Sequence, residues 1–403
     1  MEWNDTDQQA AFREDVRTFL RTRLPAYYQD HESRRHENSG LENDWQQDLH
    51  NGTPEQQDAA KEWAVALAEK GWGQPHWPAE FGGASLSPFD QFILKQEFAL
   101  AEAPEIGGSL VGSTLLVHGT EEQKERFLKP TLTGEIRWAQ GFSEPGAGSD
   151  LGSLQCRATR DGDDFIINGQ KLWTSAGHKA NWIFGLFRTD PDAPKHRGIT
   201  FLLLDATSPG VSVRPIISMG WEHATNETFY EDVRVPSNQV VGEVNRGWYV
   251  GMTLLDYERS GIGGAVAHRR NLQELIADVR GGGGIPNRAK LERLEITDRY
   301  IESEVMYNLA LRVASMHAAG TLPNYEASMG KLYSTELAQR VARTGMRTYG
   351  LYANCWSPTE EYAPLHAKHT QNCCHTVVGT IAGGSNEIQR NIIATRGLGL
   401  PRG

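Results

Sequence analysis

The sequence predicts an α+β chain in three consecutive blocks: helical over 1–133, strand-rich over 134–242 and helical again over 243–403. Three observations predict it. Apolar residues recur at helical spacing in the first block, alternate in short period-two runs through the second, and resume the helical period at Gly247. The 403 residues are enough for two or three domains around a large core.

In the first block, Thr6 and Gln9 have the spacing of a capping box, and Phe12, Val16, Phe19 and Leu20 follow at helical intervals. A second amphipathic helix is predicted over 57–70, closed by Gly71, and the Gly-, Pro- and Trp-rich GWGQPHWPAEFGG after it reads as a loop. Further helices are predicted over 89–102 and 121–132. Residues 23–57 are unusually polar (HESRRHENSGLEND) and read as a mobile excursion.

In the second block, DDFIINGQKLWTS, NWIFGLFRT, GITFLLLDA, GVSVRPI and TFYEDVRVP are short strands with turn signals between them, as in a small barrel or sandwich. Asp161-Gly162 and Asn168-Gly169 each carry the signal of a tight hairpin turn, because both central residues tolerate positive φ. In the third block, Gly281 to Gly284 followed by Ile285-Pro286 marks a break between two long helices. No Gly-Lys-Ser/Thr follows, which excludes a phosphate loop.

The net charge of −11 argues against a nucleic-acid binder, which needs clustered Lys and Arg. No run of about 18 apolar residues predicts a membrane span. The acidic start MEWNDTDQQ is unlike a basic targeting segment, so a cytoplasmic protein is expected. The four cysteines are too few and too irregular for a disulfide framework. His366, His369 and Cys373 would share one face of a helix, which is zinc-like spacing. Without a second ligand pair elsewhere they read as packing residues, and no metal is expected.

Two motifs carry chemistry. Ser143 opens SEPGAGSD, which ends at Asp150, and Trp173-Thr174-Ser175 follows at the end of a predicted strand. A Gly-rich turn beside an indole and two hydroxyls suits a flat cofactor with a polar edge and a phosphate tail. Near the C-terminus, Gly383-Gly384-Ser385 precedes NEIQRNIIA, where Ser385 is a natural N-cap.

SEPGAGSD and WTS at this spacing, with LLVHGTEEQKERFL before them and EDVRVP and IAGGSNEIQRNIIA after them, resemble the acyl-CoA dehydrogenase family over nearly the whole chain. The resemblance implies the acyl-CoA dehydrogenase fold: an N-terminal α-helical domain, a middle β-barrel carrying the flavin motif and a C-terminal four-helix bundle. It implies FAD as cofactor, with Gln140, Phe142 and Ser143 along the pyrimidine edge. Ser149 falls on the phosphate side and the pantetheine arm, Trp173 against the ring, and Thr174 and Ser175 near N5. Ser385 and Glu387 contact the flavin from the last turn.

The implied reaction removes a proton from Cα and a hydride from Cβ of an acyl-CoA thioester, giving a trans-2-enoyl-CoA and passing electrons to an electron-transferring flavoprotein. Most members place the catalytic Glu where this chain has Gly383. The resemblance to isovaleryl- and long-chain-type members moves that role to Glu258 in LLDYERSGIGGAVA, where apolar neighbours at helical spacing should raise its pKa. Gly383 keeps the backbone N–H that polarises the thioester carbonyl in the family, and Asp256 and Arg259 match positions near the CoA portion. Gly261, Gly263, Gly264 and Ala265 leave room either for a bulky acyl group or for a close helix approach.

Two departures bear on assembly. The Arg-x-x-Phe-Gly run of many members is replaced by HRRNLQELIADVRGGGG, and the later Gly-Gly-x-Gly turn by TYGLYANCWSP. Both resemble bacterial branches, steroid-degrading ones included, in which two different subunits share flavin sites. A homodimer, homotetramer or heterotetramer is thus expected. The rival readings are an oxygen-using flavoenzyme on the same fold and a non-catalytic, flavin-sharing subunit.

Overall fold

The computed structural model describes residues 4–31, 45–106, 110–257, 262–284 and 289–401, with the backbone alone at 255–257, 262 and 289–291. The chain forms two compact units, Trp77–Ala84 with Ile106–Glu258, and Met1–His76 with Ser85–Glu105 and Arg259–Gly403.

The first unit is built on eight strands: β1 (Trp138–Gly141), β2 (Arg157–Asp161), β3 (Asp164–Lys171), β4 (Trp182–Arg188), β5 (Ile199–Asp205), β6 (Val211–Ile217), β7 (His223–Pro236) and β8 (Val240–Val241). One group pairs as β1-β4-β5-β8 and the other as β2-β3-β7-β6, linked by the pair Arg157↔Arg188. Strands β4 and β5 are buried on both faces, which is why they read as unbroken apolar runs. Phe184, Leu186, Ile199, Phe201 and Leu203 face one core with Phe127, Phe142 and Leu254, to which the helices Leu110–His118, Glu121–Leu132 and Gly247–Tyr257 contribute. Ile183, Phe187, Leu202 and Leu204 face the other, with Phe165, Ile167, Tyr230 and Val233. Period-two alternation thus feeds two cores from one pair of strands.

Asp161-Gly162 makes the expected hairpin between β2 and β3, with Gly162 at φ 61°. Asn168-Gly169 does not turn the chain. It sits inside β3 as a bulge, where the register against β7 slips between Ile167 and Gly169. The Asn168 side chain exchanges two hydrogen bonds with Asp232 across the strands, at 2.9 Å each, and Gly169 takes φ 137° against Cys156. Pairing on both sides overrides the local turn preference.

The second unit is helical. Thr6 and Gln9 form the expected reciprocal capping box on Asp7–Arg23. Thr53 and Gln56 cap Pro54–Lys70, which ends on left-handed Gly71. The buried carboxylate of Glu97 accepts from Arg13 at 2.6 Å and from Arg17 at 2.9 Å, beside the aromatic cluster of Phe19, Trp63, Trp72 and Phe98. The long helices Ile262–Arg280, Ala289–Ala318 and Tyr325–Tyr349 pack with Lys368–Gly379 and bury Ala265, Met306, Leu337 and Val341.

The polar excursion over 23–57 is in part ordered. Ala26–Gln29 and Trp45–Asn51 are helical, Trp45 is buried, and Tyr28 donates to Asp48 at 3.0 Å. Residues 32–44 lie outside the described residues. His366 is not on the helix with His369 and Cys373: it has φ 54° and precedes Lys368–Gly379, while His369 is buried against Gly345 and Tyr349.

Candidate active site

Strand β1 ends at Gly141 and delivers Phe142 into the core, so that Ser143 begins the Gly-rich turn at a fixed point. The turn closes on itself, with reciprocal backbone bonds between Glu144 and Ala147 at 2.9 and 3.0 Å. Glu144 holds it down. Its carboxylate accepts from Lys171 Nζ at 2.7 Å and from the backbone N–H groups of Gln155 and Cys156 at 2.7 and 2.9 Å. Lys171 is fully enclosed and also donates to the carbonyls of Phe142 and Leu186. Burial pushes the Lys171 ammonium below its ordinary pKa, and the Glu144 charge opposes that shift. Burial also pushes the adjacent Cys156 thiol up to about 12, so it stays protonated at neutral pH.

Glu144 and Ala147 turn inward, while Pro145, Gly146, Gly148, Ser149 and Asp150 are exposed. A Cβ on Gly146 or Gly148 would meet no atom within 4 Å, so nothing in the fold itself requires glycine there. Glycine leaves the backbone open to something approaching it. Ser149 is exposed at the end of this turn, and the neighbouring loop is secured by Arg188, which donates to Gly152 O at 2.6 Å.

Strand β3 ends at Lys171, which it places inward, and the next residue, Leu172, bonds Ser143 O through its N–H at 2.8 Å, so the two motifs are tied together. Trp173 then adopts φ 62° and leaves 57% of its surface in solvent. A bulky residue in the left-handed region costs about 1–3 kcal/mol, and such strain clusters at functional sites. Thr174 is fully buried, its hydroxyl 3.2 Å from Thr228 and its N–H bonded to Asn226 O at 2.9 Å. Ser175 is exposed and Ala176 again has positive φ, at 55°. Gln140 is half-buried on β1.

The structure thus brings Gln140, Phe142, Ser143, Ser149, Trp173, Thr174 and Ser175 into one unit. An uncovered indole, open glycines and outward hydroxyls fit a flat aromatic group with a phosphate tail. Phe142 and Thr174 are both buried, and the Thr174 N–H and carbonyl are both bonded to Asn226. The sequence reading passed over Glu144, Lys171, Asn226 and Thr228. A lysine at an inward strand position and an acid inside a Gly-Pro turn were the available signals.

Gly383, Ser385 and Glu387 belong to the helical unit. Gly383 and Gly384 both have positive φ, at 63° and 80°. Gln389 donates to both of their carbonyls at 3.1 Å, and Lys331 to Gly384 O at 2.8 Å. Ser385 caps Asn386–Ile392 through its hydroxyl. The Glu387 carboxyl lies below its ordinary pKa, held by its own backbone N–H and the Ser385 hydroxyl. Glu258 and Arg259 lie outside the described residues, and only the backbone of Asp256 is described. Among the described residues, no group of three His, Cys, Asp or Glu is placed to hold a metal, and no helix is long and apolar enough to cross a membrane.

Family models for the acyl-CoA dehydrogenase N-terminal, middle and C-terminal domains match residues 6–135, 139–233 and 245–398. The acyl-CoA dehydrogenase FadE34 of Mycobacterium tuberculosis is 39% identical over 344 residues, covering 84% of this chain and 46% of that protein. The chain therefore spans about half the length of this relative. Of solved structures, the Tcur3481-Tcur3483 steroid ACAD superposes with a TM-score of 0.84 at 32% identity, covering 100% of both chains. The ChsE4-ChsE5 complex from Mycobacterium tuberculosis gives 0.82 at 31% identity, again over 100% of both chains.

Proposed function

We propose that this chain, which belongs to the acyl-CoA dehydrogenase family, desaturates an acyl-CoA thioester between Cα and Cβ with FAD as cofactor. The observation that carries the reading is the strained, solvent-exposed Trp173 bonded through Leu172 to a Gly-rich turn that Glu144 and Lys171 anchor.

In this reading Gln140, Phe142 and Ser143 hold the polar edge of the ring, the Gly146–Ser149 segment admits the phosphates, and Trp173 covers a face. Thr174 and Ser175 stand near N5, and Ser385 and Glu387 are the further flavin contacts that the family likeness implies. FAD, when bound, supplies the acceptor for the β-hydride. Glu258 takes the α-proton, since the residue at the family's more common base position is Gly383. The Gly383 N–H donates to the thioester carbonyl and stabilises the charge that develops there as the proton leaves. Ser149, Asp256 and Arg259 orient the CoA portion. An electron-transferring flavoprotein is the expected electron acceptor.

Two features support a finer reading. The whole-length likeness to a steroid ACAD favours a steroid-borne acyl chain as substrate. The likeness to the ChsE4-ChsE5 complex, with the missing Arg-x-x-Phe-Gly run, favours a heterotetramer with a second dehydrogenase-like subunit.

The test is anaerobic mixing of the purified protein with acyl-CoA thioesters from short branched to sterol-sized, following the flavin absorbance. Bleaching by wild type, and a yellow but inert Glu258→Gln variant, are expected. Turnover by that variant at the wild-type rate would remove Glu258 from the role of base.

A further inference from the structure

We infer that Asn226 is a positioning residue for the cofactor site: it holds Trp173–Gly177 in its strained conformation through a hydrogen-bonded network that includes a stacked histidine pair. The inference rests on the proposed flavin reading for its consequence and on geometry alone for its substance.

Asn226 lies on β7 and is fully buried. Its backbone forms a reciprocal pair with Thr174, with N–H···O distances of 2.9 and 3.1 Å. Its side chain adds a third bond, Nδ2 donating to Thr174 O at 3.0 Å. The same amide nitrogen faces His178 Nδ1 at 3.1 Å, and Oδ1 faces His223 Nε2 at 2.7 Å. With the amide in this orientation, His178 Nδ1 accepts and His223 Nε2 donates. The two imidazoles stack at 3.8 Å with 23° between their planes. Gly177 completes the fit, since a Cβ there would come within 3.1 Å of Thr174 Cγ2 and 3.3 Å of Asn226 Nδ2.

The segment being held has two residues at positive φ, Trp173 at 62° and Ala176 at 55°. Left-handed backbone outside glycine persists only where its surroundings over-determine it. One side chain that binds Thr174 O and both histidines supplies that constraint, where an ordinary strand pair would supply the backbone bonds alone. The residues so fixed include the exposed indole and Ser175, the parts of this segment that a bound ring would meet.

Two measurements on the full chain test this. In the flavin-free protein, hydrogen exchange of the 173–180 segment should accelerate by about tenfold or more in Asn226→Ala, while β4 and β5 stay protected. In the reconstituted protein, the same variant should weaken FAD binding by about tenfold and shift the visible flavin spectrum. His178→Phe keeps a ring against His223 but removes the Nδ1 acceptor; on an exposed residue it keeps the test open if Asn226→Ala fails to fold, and it should weaken binding by about threefold.

Unchanged exchange in Asn226→Ala overturns the inference. So does faster exchange with wild-type flavin affinity and spectrum, because the segment would then be loosened without consequence for the site. If Asn226→Ala fails to fold, wild-type affinity in His178→Phe overturns it. A wild-type protein that binds no FAD would instead overturn the functional reading, and the exchange result would still decide whether Asn226 holds the segment.

Discussion

The Lys171 ammonium lies 2.7 Å from the Glu144 carboxylate inside the strand-built unit, with the lysine side chain fully enclosed and the glutamate 9% exposed. This pair joins the two cofactor motifs from beneath. Glu144 belongs to the Gly-rich turn and Lys171 is the last residue of the strand that leads into Trp173, so one charge contact sets the distance between them. The remaining lone pairs and protons are satisfied by four backbone groups, which makes such a burial tolerable.

Glu144→Gln should therefore be severe although Glu144 is not proposed to touch substrate. The variant leaves a buried ammonium without its counter-charge, at a cost of about 3–5 kcal/mol. Thermal unfolding followed by circular dichroism should show a fall on the order of 10 °C. A midpoint within about 2 °C of wild type would show that the pair contributes little.

Trp173→Gly should separate folding from binding. Glycine relieves the left-handed strain at φ 62°, so the flavin-free variant should melt at or above the wild-type temperature. Flavin retention through gel filtration should nevertheless collapse. If affinity for FAD is unchanged, the indole does not cover the ring.

The glycines divide by what surrounds them. Gly169→Ala places a Cβ 2.9 Å from Cys156 Sγ at φ 137° and should destabilise by about 1–3 kcal/mol. Gly146→Ala meets nothing within 4 Å and should change stability by no more than about 0.5 kcal/mol. Its effect should appear in flavin content instead. Denaturant melts paired with absorbance at the flavin band measure both.

Mild acid should destabilise the helical unit. Burial holds the imidazoles of His76, His268 and His369 down at about 4, against 6.5 for a free histidine. The unfolded chain binds protons first, so stability is complete above pH 6.5 and falls as pH drops from 6.5 toward 4. That gap amounts to about 3 kcal/mol per histidine. Denaturant midpoints at pH 7, 5.5 and 4.5 check it, and a flat profile would contradict the burial of these rings.

Much of the architecture was legible because it rests on local rules. The capping box at Thr6, the stop at Gly71, the hairpin at Asp161-Gly162 and the cap at Ser385 each need only their own neighbours. Asn168-Gly169 carried an equally strong turn signal and failed, because Asp232 on β7 pairs with it across the sheet. The segment over 23–57 looked too polar to order, yet Trp45 is buried and its indole donates to Ala60 O at 2.8 Å, a partner on another helix. His366 fitted a helical face with His369 and lies off the helix at φ 54°.

The sequence alone determined the order of helical and strand-rich blocks and the two motifs of the cofactor site, because periodicity, turn residues and motif spacing are properties of the chain. The tertiary structure decided what those motifs stand on. Lys171 is 27 positions from Glu144, and Asn226 is 52 from Thr174. Contacts at that separation form only when strands pair and desolvate the groups between them, and no local propensity encodes which lysine will lose its water or which asparagine will find a strained carbonyl.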